Sequence, residues 1–220
     1  IPLPGGDAAV RQIGRTGLAL AWDAGVPPEA LARLPLMRAL PGARTIAAML
    51  EKDIACPKAS SIGRLFDGVY ALISGRAAAG YDGQAPALLE ALADPGIPGR
   101  PYPAAFYRDG GVRRFDTRPL TAAVCADVLA GVPAAAIARG FMDALCRMAL
   151  EQCRALNPER LPVVLSGGVF LNRYLLRGVT RLLEDDGFAV YSHHRVSPGD
   201  EGLALGQLMI GAAKQTQTRK

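Results

Sequence analysis

Hydrophobic positions recur at helical spacing through most of residues 1–158. One strong run extends from Ile62 to Ser74, and a longer one extends from Ala134 to Leu156. Between them, apolar and polar residues alternate on both sides of Asp109-Gly110, which favours a two-stranded hairpin. The pattern therefore predicts a mostly helical region over residues 1–158, with a β-hairpin near residues 104–116.

The pattern changes in the last part of the chain. Residues Pro162 to Ser166, with the apolar run Val163–Leu165 at their centre, are typical of a buried strand, and the pair Gly167-Gly168 follows directly. A helical repeat leads from there to a second strand signal, Phe188 to Tyr191. A polar loop then precedes an apolar helical stretch that begins at Leu203. We therefore expect residues 159–220 to form a small lobe of order β-α-β-α.

The Gly167-Gly168 turn is the first candidate binding element. A strand, a glycine turn and a helix together bring backbone N–H groups and a helix N-terminus against an anion or a nucleotide. Asn172 follows in the first helical turn, and its amide can both donate and accept hydrogen bonds. A tight turn in which glycine only serves packing would show the same pattern. Because ligands bind at the carboxyl ends of strands, we expect this turn and the loop around Asp200 to converge.

Several polar residues carry two interpretations. Asp67, within a predicted helix, fits either a solvated acid or a ligand for hydroxyl groups. Asp200, directly before the last helix, fits either an N-cap or a metal ligand. Residues 81–84 read as a glycine turn and the start of a helix. His193 and His194 are adjacent at a strand end and point to opposite faces, so we interpret them as structural or rim residues.

Composition narrows the classes of function. The net charge of +5 is carried by scattered arginines and aromatic residues make up only 6%, so no nucleic-acid surface is expected. No apolar run reaches ~18 residues and no signal peptide opens the chain, which favours a cytoplasmic protein without membrane contact. The four cysteines lack metal-type spacing, so we expect buried free thiols in a reducing compartment.

Five blocks, in the same order along the chain, resemble the end of the Kae1-like domain of HypF-type carbamoyltransferases, the hydrogenase-maturation enzymes. The blocks are Leu3–Ala9, Ser60–Asp67, Tyr81–Ala85, 163–172 and 196–207. The resemblance implies an α/β half-domain of the actin-like ATPase (ASKHA, RNase H-like) class. It also implies that the other HypF domains precede Ile1, so that this chain is the C-terminal part of one domain and is incomplete as an enzyme alone.

The resemblance also implies a set of site residues. It places the adenosine of ATP or carbamoyl-adenylate against Asp67, Gly83, Gln84, Gly167, Gly168 and Asn172. Asp67 would take the ribose hydroxyls, and the missing side chain of Gly83 would leave room for a ring. Asp200 would ligate a divalent metal, iron or zinc with magnesium as an alternative, completed by two histidines upstream of this chain. The catalytic residues remain unknown, because no residue in the chain stands out as a covalent nucleophile.

The implied activity is carbamoyl transfer from carbamoyl-adenylate to the C-terminal cysteine of a HypE-type protein. In the maturation of nickel–iron hydrogenase that group becomes the cyanide ligand. The sequence departs from the usual pattern at Arg11–Arg15, at Met142 and at Gly199–Gly202. These departures leave open an O-carbamoyl- or threonylcarbamoyl-transferase relative, or a non-catalytic nucleotide-binding or docking module. The missing upstream lobe would leave a sheet edge open, which predicts self-association.

Overall fold

The computed structural model describes residues 1–94 and 96–218, with side chains described up to Lys214. It divides into two compact units: unit 1 comprises Ile1–Met148 and unit 2 comprises Ala149–Lys220. The division falls inside a long helix, whereas the predicted change of pattern falls at residue 158. None of the described helices is both long and apolar enough to cross a lipid bilayer.

Unit 1 consists of helices and one hairpin in the part of the chain that the structure describes. Strands β1 and β2 pair antiparallel through a two-residue Gly110-Gly111 loop, with Asp109 opposite Val112, so the predicted hairpin is confirmed. The helices are α1 Asp7–Arg11, α2 Ile13–Asp23, α3 Pro28–Leu31, α4 Leu36–Ala39, α5 Ala43–Glu51, α6 Ile62–Ser74, α7 Gln84–Leu92, α8 Arg118–Leu129 and α9 Ala134–Leu156, and the strands are β1 Ala105–Asp109 and β2 Val112–Asp116.

Helix α6 lies at the centre of unit 1. It begins after Ser61, whose Oγ accepts a hydrogen bond from the Arg64 N–H at 3.4 Å, and it ends at Gly75 with φ +70°. The predicted helix over residues 62–74 is therefore confirmed. Gly68 allows the close approach of α2, since a Cβ atom there would lie 2.2 Å from Leu20 Cδ1. This packing buries almost the whole of α6, including positions that a surface helix would expose to water.

Unit 2 has the predicted order of elements. Strands β3 and β4 pair in parallel, with Leu165 opposite Ser192, and a helix forms the crossover between them. That helix buries Leu175, Val179 and Leu183. The elements are β3 Val163–Leu165, a 3-10 turn Gly168–Leu171, α10 Arg173–Asp185, β4 Val190–Ser192, a second 3-10 turn Asp200–Gly202, and α11 Leu203–Thr218.

The β3–β4 sheet is shorter and less buried than the sequence predicts. Val164 and its register partner Tyr191 are 67% and 60% exposed, whereas Leu165 is buried. Because successive side chains of a strand point to opposite faces, one face of this sheet is covered and the other is exposed. The prediction of a fully buried strand is therefore wrong for Val164. Helix α11 also exposes apolar side chains, among them Leu208, Met209 and Ile210.

Candidate functional site

Asp67 lies in the middle of α6 and is only 3% exposed. The interpretation of Asp67 as a solvated acid is therefore wrong. Burial raises the pKa of its carboxyl group to about 6, while the neighbouring charge of Arg64 lowers it and that of Asp82 raises it further. At neutral pH the Asp67 carboxyl group is therefore mostly ionised, although its buried surroundings favour the protonated form. Its contact with ribose hydroxyls stays a prediction.

Arg64 connects Asp67 to the segment before α7. Its Nη1 atom lies 2.9 Å from Asp67 Oδ2, and its Nη2 atom donates to Asp82 Oδ1 at 3.1 Å. The contact with Asp67 is an ion pair without aligned hydrogen-bond geometry, because neither of its two buried atoms has a hydrogen-bond partner among the described residues. The Arg64 side chain is 14% exposed and that of Asp82 is 82% exposed. The guanidinium group of Arg64 thus contacts both the buried Asp67 and the exposed Asp82.

The turn before α7 has open space next to the backbone of Gly83. Gly83, the residue before the helix, has φ +87°, and no atom lies within 4 Å of the position that a Cβ atom would take. Gln84 faces back into the turn, where its Oε1 accepts a hydrogen bond from the Gly80 N–H at 2.6 Å. The room that the resemblance implies at Gly83 is therefore present, while the nucleotide contacts of Gly83 and Gln84 stay predictions.

In unit 2, the two loops at the carboxyl ends of β3 and β4 contact each other, as predicted. The Gly167 N–H donates to the Pro198 carbonyl oxygen at 3.0 Å. A Cβ atom on Gly199 would lie 3.6 Å from Gly168 Cα and 3.4 Å from Leu171 Cδ1. A side chain at position 199 would therefore lie against the 168–171 turn, which shows how closely the two loops approach each other. The Gly167 N–H is used inside the unit, so an anion at this turn would need other donors.

Asn172 is the N-cap of α10. Its Oδ1 accepts a hydrogen bond from the Leu175 N–H at 2.9 Å, and the residue is buried. The helix does not begin at the glycine pair, because the 3-10 turn Gly168–Leu171 intervenes. Asn172 therefore lies before the first turn of the helix rather than within it. The cap accounts for its burial, and its contact with a nucleotide stays a prediction.

Ser166 and His193 follow β3 and β4 directly and lie side by side. The His193 Nε2 and Ser166 Oγ atoms are 2.9 Å apart, and His193 is exposed. This agrees with the interpretation of His193 as a rim residue. No local pattern in the sequence indicates this contact, but it continues the parallel register of β3 and β4, in which Leu165 lies opposite Ser192.

Asp200 opens the 3-10 turn that runs into α11, and it is exposed. Gly199 holds the N-cap position of this turn and no side chain forms a cap hydrogen bond, so the N-cap interpretation of Asp200 is wrong. The loop is instead held by Ser197, whose Oγ donates to Glu201 Oε2 at 2.7 Å and accepts from the Gly199 N–H at 3.2 Å. Ser197 therefore links the Glu201 carboxylate to the backbone of Gly199.

A metal ion does not fit the residues present in the described part of the chain. No group of three or more His, Cys, Asp or Glu side chains there could hold one. Asp200 alone offers one carboxylate, and a single ligand binds a divalent ion weakly. Asp200 stays a predicted single ligand.

The cysteines are free thiols with suppressed reactivity. Burial raises the pKa of Cys125 and of Cys146 to about 12. Burial also raises the pKa of Cys56 and of the half-buried Cys153. Because the thiolate is the nucleophile, these groups are poor candidates for covalent catalysis.

Comparison with known proteins assigns the fold. Residues 1–207 match the family model described as carbamoyltransferase, Kae1-like domain, second subdomain. The chain also superposes on the crystal structure of full-length HypF in the phosphate- and nucleotide-bound form, with a TM-score of 0.77 and 29% identity. That match covers 94% of this chain and 27% of the HypF chain. By fold, therefore, the chain is a Kae1-like α/β subdomain.

Related sequences point to the same family as the family model and the structural match. Carbamoyltransferase HypF2 of Cupriavidus necator is 32% identical in an alignment of 236 positions. The alignment covers 96% of this chain and 28% of the relative. A carbamoyltransferase HypF homolog from the same organism is 33% identical in an alignment of 227 positions. That alignment covers 98% of this chain and 56% of that protein. The chain belongs to the HypF carbamoyltransferase family. It spans between about a quarter and about half of the length of these relatives.

Proposed function

We propose that this chain is the nucleotide-binding part of a HypF-type carbamoyltransferase and that its ligand is carbamoyl-adenylate, formed from ATP. The observation that carries the proposal is the extent of the family match, residues 1–207 of 220. A nucleotide in the crystal structure of full-length HypF supports it. On the same basis we propose that the subdomain is half of an actin-like ATPase (ASKHA) fold and that the protein works in the cytoplasm.

Each unit offers one group of residues for the nucleotide. In unit 1 the group consists of Asp67, Gly83 and Gln84. Arg64 pairs with Asp67 and with Asp82, the residue before Gly83, and the Cβ position of Gly83 is open. Carboxylates accept hydrogen bonds from hydroxyl pairs, which suits a ribose. In unit 2 the group consists of Gly167, Gly168 and Asn172, at the carboxyl end of a parallel strand. We propose the two groups separately, and each has its own test.

The proposed reaction passes a carbamoyl group to a thiol. The sulfur of the acceptor's C-terminal cysteine bonds to the carbamoyl carbon, the bond from that carbon to the phosphate oxygen breaks, and AMP leaves. The thiol proton is lost to solvent. We propose a HypE-type protein as the acceptor, with the other HypF domains as working partners. The buried thiols of Cys125 and Cys146 fit this scheme, because their raised pKa values keep these two groups from competing with the acceptor.

A non-catalytic nucleotide-binding or docking module is the second candidate. The observation that favours it is that no group of three or more His, Cys, Asp or Glu side chains in the described part of the chain could hold a metal ion. The two candidates differ in the outcome of a transfer assay. Release of AMP from carbamoyl-adenylate, dependent on a HypE-type acceptor and on the other HypF domains, requires the enzyme. A module would bind nucleotide and leave AMP release unchanged when this chain is omitted.

Calorimetric titration with ATP and with AMP tests the unit 1 group. We expect saturable binding by the wild type and its loss in Gly83→Ala, because the added methyl group fills the open space. Gly131→Ala is the matched control, since Gly131 also has a positive φ and open space around its Cβ position. Both substitutions carry similar backbone strain, about 1 kcal/mol. Equal binding by the two variants would contradict the assignment of Gly83.

The unit 2 group has a parallel test. Gly168 has no atom within 4 Å of its Cβ position, and the same is true of Gly206 in α11. We expect Gly168→Ala to weaken ATP binding and Gly206→Ala to leave it unchanged. A folded wild-type chain that binds neither ATP nor AMP would contradict the proposed function as a whole.

A further inference from the structure

Ser166 and His193 form a hydroxyl–imidazole pair at the carboxyl edge of the β3–β4 sheet. Each is the first residue after its strand, so the pair continues the register in which Leu165 lies opposite Ser192. The two atoms in contact, Ser166 Oγ and His193 Nε2, are 2.9 Å apart. A hydrogen bond therefore joins the two side chains at the edge of the sheet where ligands bind in α/β folds.

The pair is accessible to a molecule that approaches unit 2. Both residues are exposed, and the alternation of side chains along a strand places them on the same face as Val164 and Tyr191, which are also exposed. Gly167, which follows Ser166 directly, belongs to the turn of the proposed nucleotide group. The imidazole of His193 therefore lies beside that turn, on the open face of the sheet.

The contact with Ser166 determines which nitrogen of His193 accepts a proton. When the Nε2–H group donates to Ser166 Oγ, the Nδ1 atom of the neutral ring carries the free lone pair. The His193 side chain has no other hydrogen-bond partner and no ion pair among the residues that the structure describes. Nδ1 is therefore available as a general base, and histidine is the side chain that most often has this role.

Transfer of a carbamoyl group to a thiol benefits from such a base. A thiol with an ordinary pKa of about 8.5 is only about 3% ionised at pH 7, and the thiolate is the reactive form. A proton acceptor beside the attacking sulfur removes this limit, because it takes the proton while the new bond forms.

We propose that His193 is the general base that takes the proton of the acceptor's cysteine, and that Ser166 is a positioning residue that fixes the imidazole ring. Nδ1 accepts the S–H proton as the sulfur bonds to the carbamoyl carbon. The bond from that carbon to the phosphate oxygen breaks, and AMP leaves with its electron pair. The imidazolium then gives the proton to water. This inference rests on the proposed function, because it names a catalytic residue for that same transfer.

Acceptor-dependent release of AMP from carbamoyl-adenylate tests His193, with a HypE-type acceptor and the other HypF domains present. We expect His193→Gln to slow AMP release about 30-fold at pH 7 and less than about twofold at pH 9, because the thiol ionises unaided at the higher pH. His194→Gln is the matched control, since His194 is an exposed histidine of the same loop. This control should release AMP at the wild-type rate at both pH values.

Ser166 is tested by the same two rates. Ser166→Ala should slow AMP release about 2- to 10-fold at pH 7, which corresponds to one ordinary hydrogen bond, and the deficit should disappear at pH 9. Ser166→Thr keeps the hydroxyl group and should recover most of the rate. A purely structural role of Ser166 would slow release equally at both pH values, and that result would contradict positioning of the base.

The remaining outcomes separate the inference from the proposed function. If His193→Gln releases AMP at the wild-type rate at pH 7, or is slowed equally at pH 7 and pH 9, His193 is not the base and the inference is wrong, while the proposed function stands. A loss in His194→Gln that matches the loss in His193→Gln would also contradict the assignment to His193. If the folded wild type binds no nucleotide and releases no AMP, the proposed function fails and the inference fails with it.

Discussion

The two candidate groups are held in place by different forces. In unit 1, the buried Asp67 and the exposed Asp82 are fixed by one arginine, through charge. In unit 2, a backbone hydrogen bond joins the 167–168 turn to the 198–202 loop, and the buried Asn172 caps α10 through its uncharged amide. Unit 1 should therefore be sensitive to side-chain charge and to pH, whereas unit 2 should be sensitive to changes in its backbone.

The largest effect is expected from Arg64→Ala. The substitution leaves Asp67 buried without its countercharge, so we expect the free energy of unfolding of unit 1 to fall by about 3 kcal/mol at pH 8. Urea unfolding followed by the fluorescence of Trp22 measures it, because Trp22 lies on α2, which packs against α6. Arg114→Ala, which breaks an exposed ion pair in the hairpin, should cost at most about 1 kcal/mol. Equal losses in the two variants would show that charge does not hold the unit 1 group.

A smaller change in the free energy of unfolding is expected when Asp67 loses its proton as the pH rises. The pKa of Asp67 in the folded chain, about 6, lies above its ordinary value of 3.8. The folded form therefore binds this proton more tightly, and the associated stability is present below pH 3.8 and is lost as the pH rises through about 6. We expect the free energy of unfolding of the wild type, relative to Asp67→Asn, to fall by about 2 kcal/mol between pH 4 and pH 7. Parallel pH curves for the two proteins would count against this.

The smallest effect is expected from the cap of α10. Asn172→Ala removes the acceptor for the Leu175 N–H, so we expect about 1 kcal/mol of destabilisation in unit 2, measured by circular dichroism during urea unfolding. Asn172→Ser keeps a capping oxygen and should stay close to the wild type. If the serine variant is as unstable as the alanine variant, the amide of Asn172 does more than cap the helix.

Local patterns predicted the elements well. The spacing of apolar residues predicts the helices over residues 62–74 and 134–156, the hairpin, and the β-α-β-α order of unit 2. It does so because the side-chain periods of helices and strands depend only on residues close together in the sequence. The contact between the two glycine-containing loops also followed, since parallel strands bring their carboxyl ends to one edge.

The residues that connect elements could not be read in this way. Arg64 and Asp82 are 18 residues apart, and their contact depends on how α6 and α7 pack. The burial of Asp67 depends equally on α2, which approaches α6 closely at Gly68. The exposure of Val164 does not follow from the sequence, because an apolar run does not reveal which face of a sheet is covered. The position of Asn172 before the helix does not follow either, because the 3-10 turn that precedes it has no clear sequence signal.

The thiols of the chain have a consequence for chemical selectivity. Activated carbamoyl groups react with any exposed thiolate, so a protein that handles one is at risk of modifying itself. With a pKa of about 12, Cys125 and Cys146 are ionised in only about one molecule in 10⁵ at pH 7. If the chain binds carbamoyl-adenylate as proposed, this suppression leaves the acceptor's cysteine as the preferred nucleophile, so that burial protects the enzyme from its own substrate.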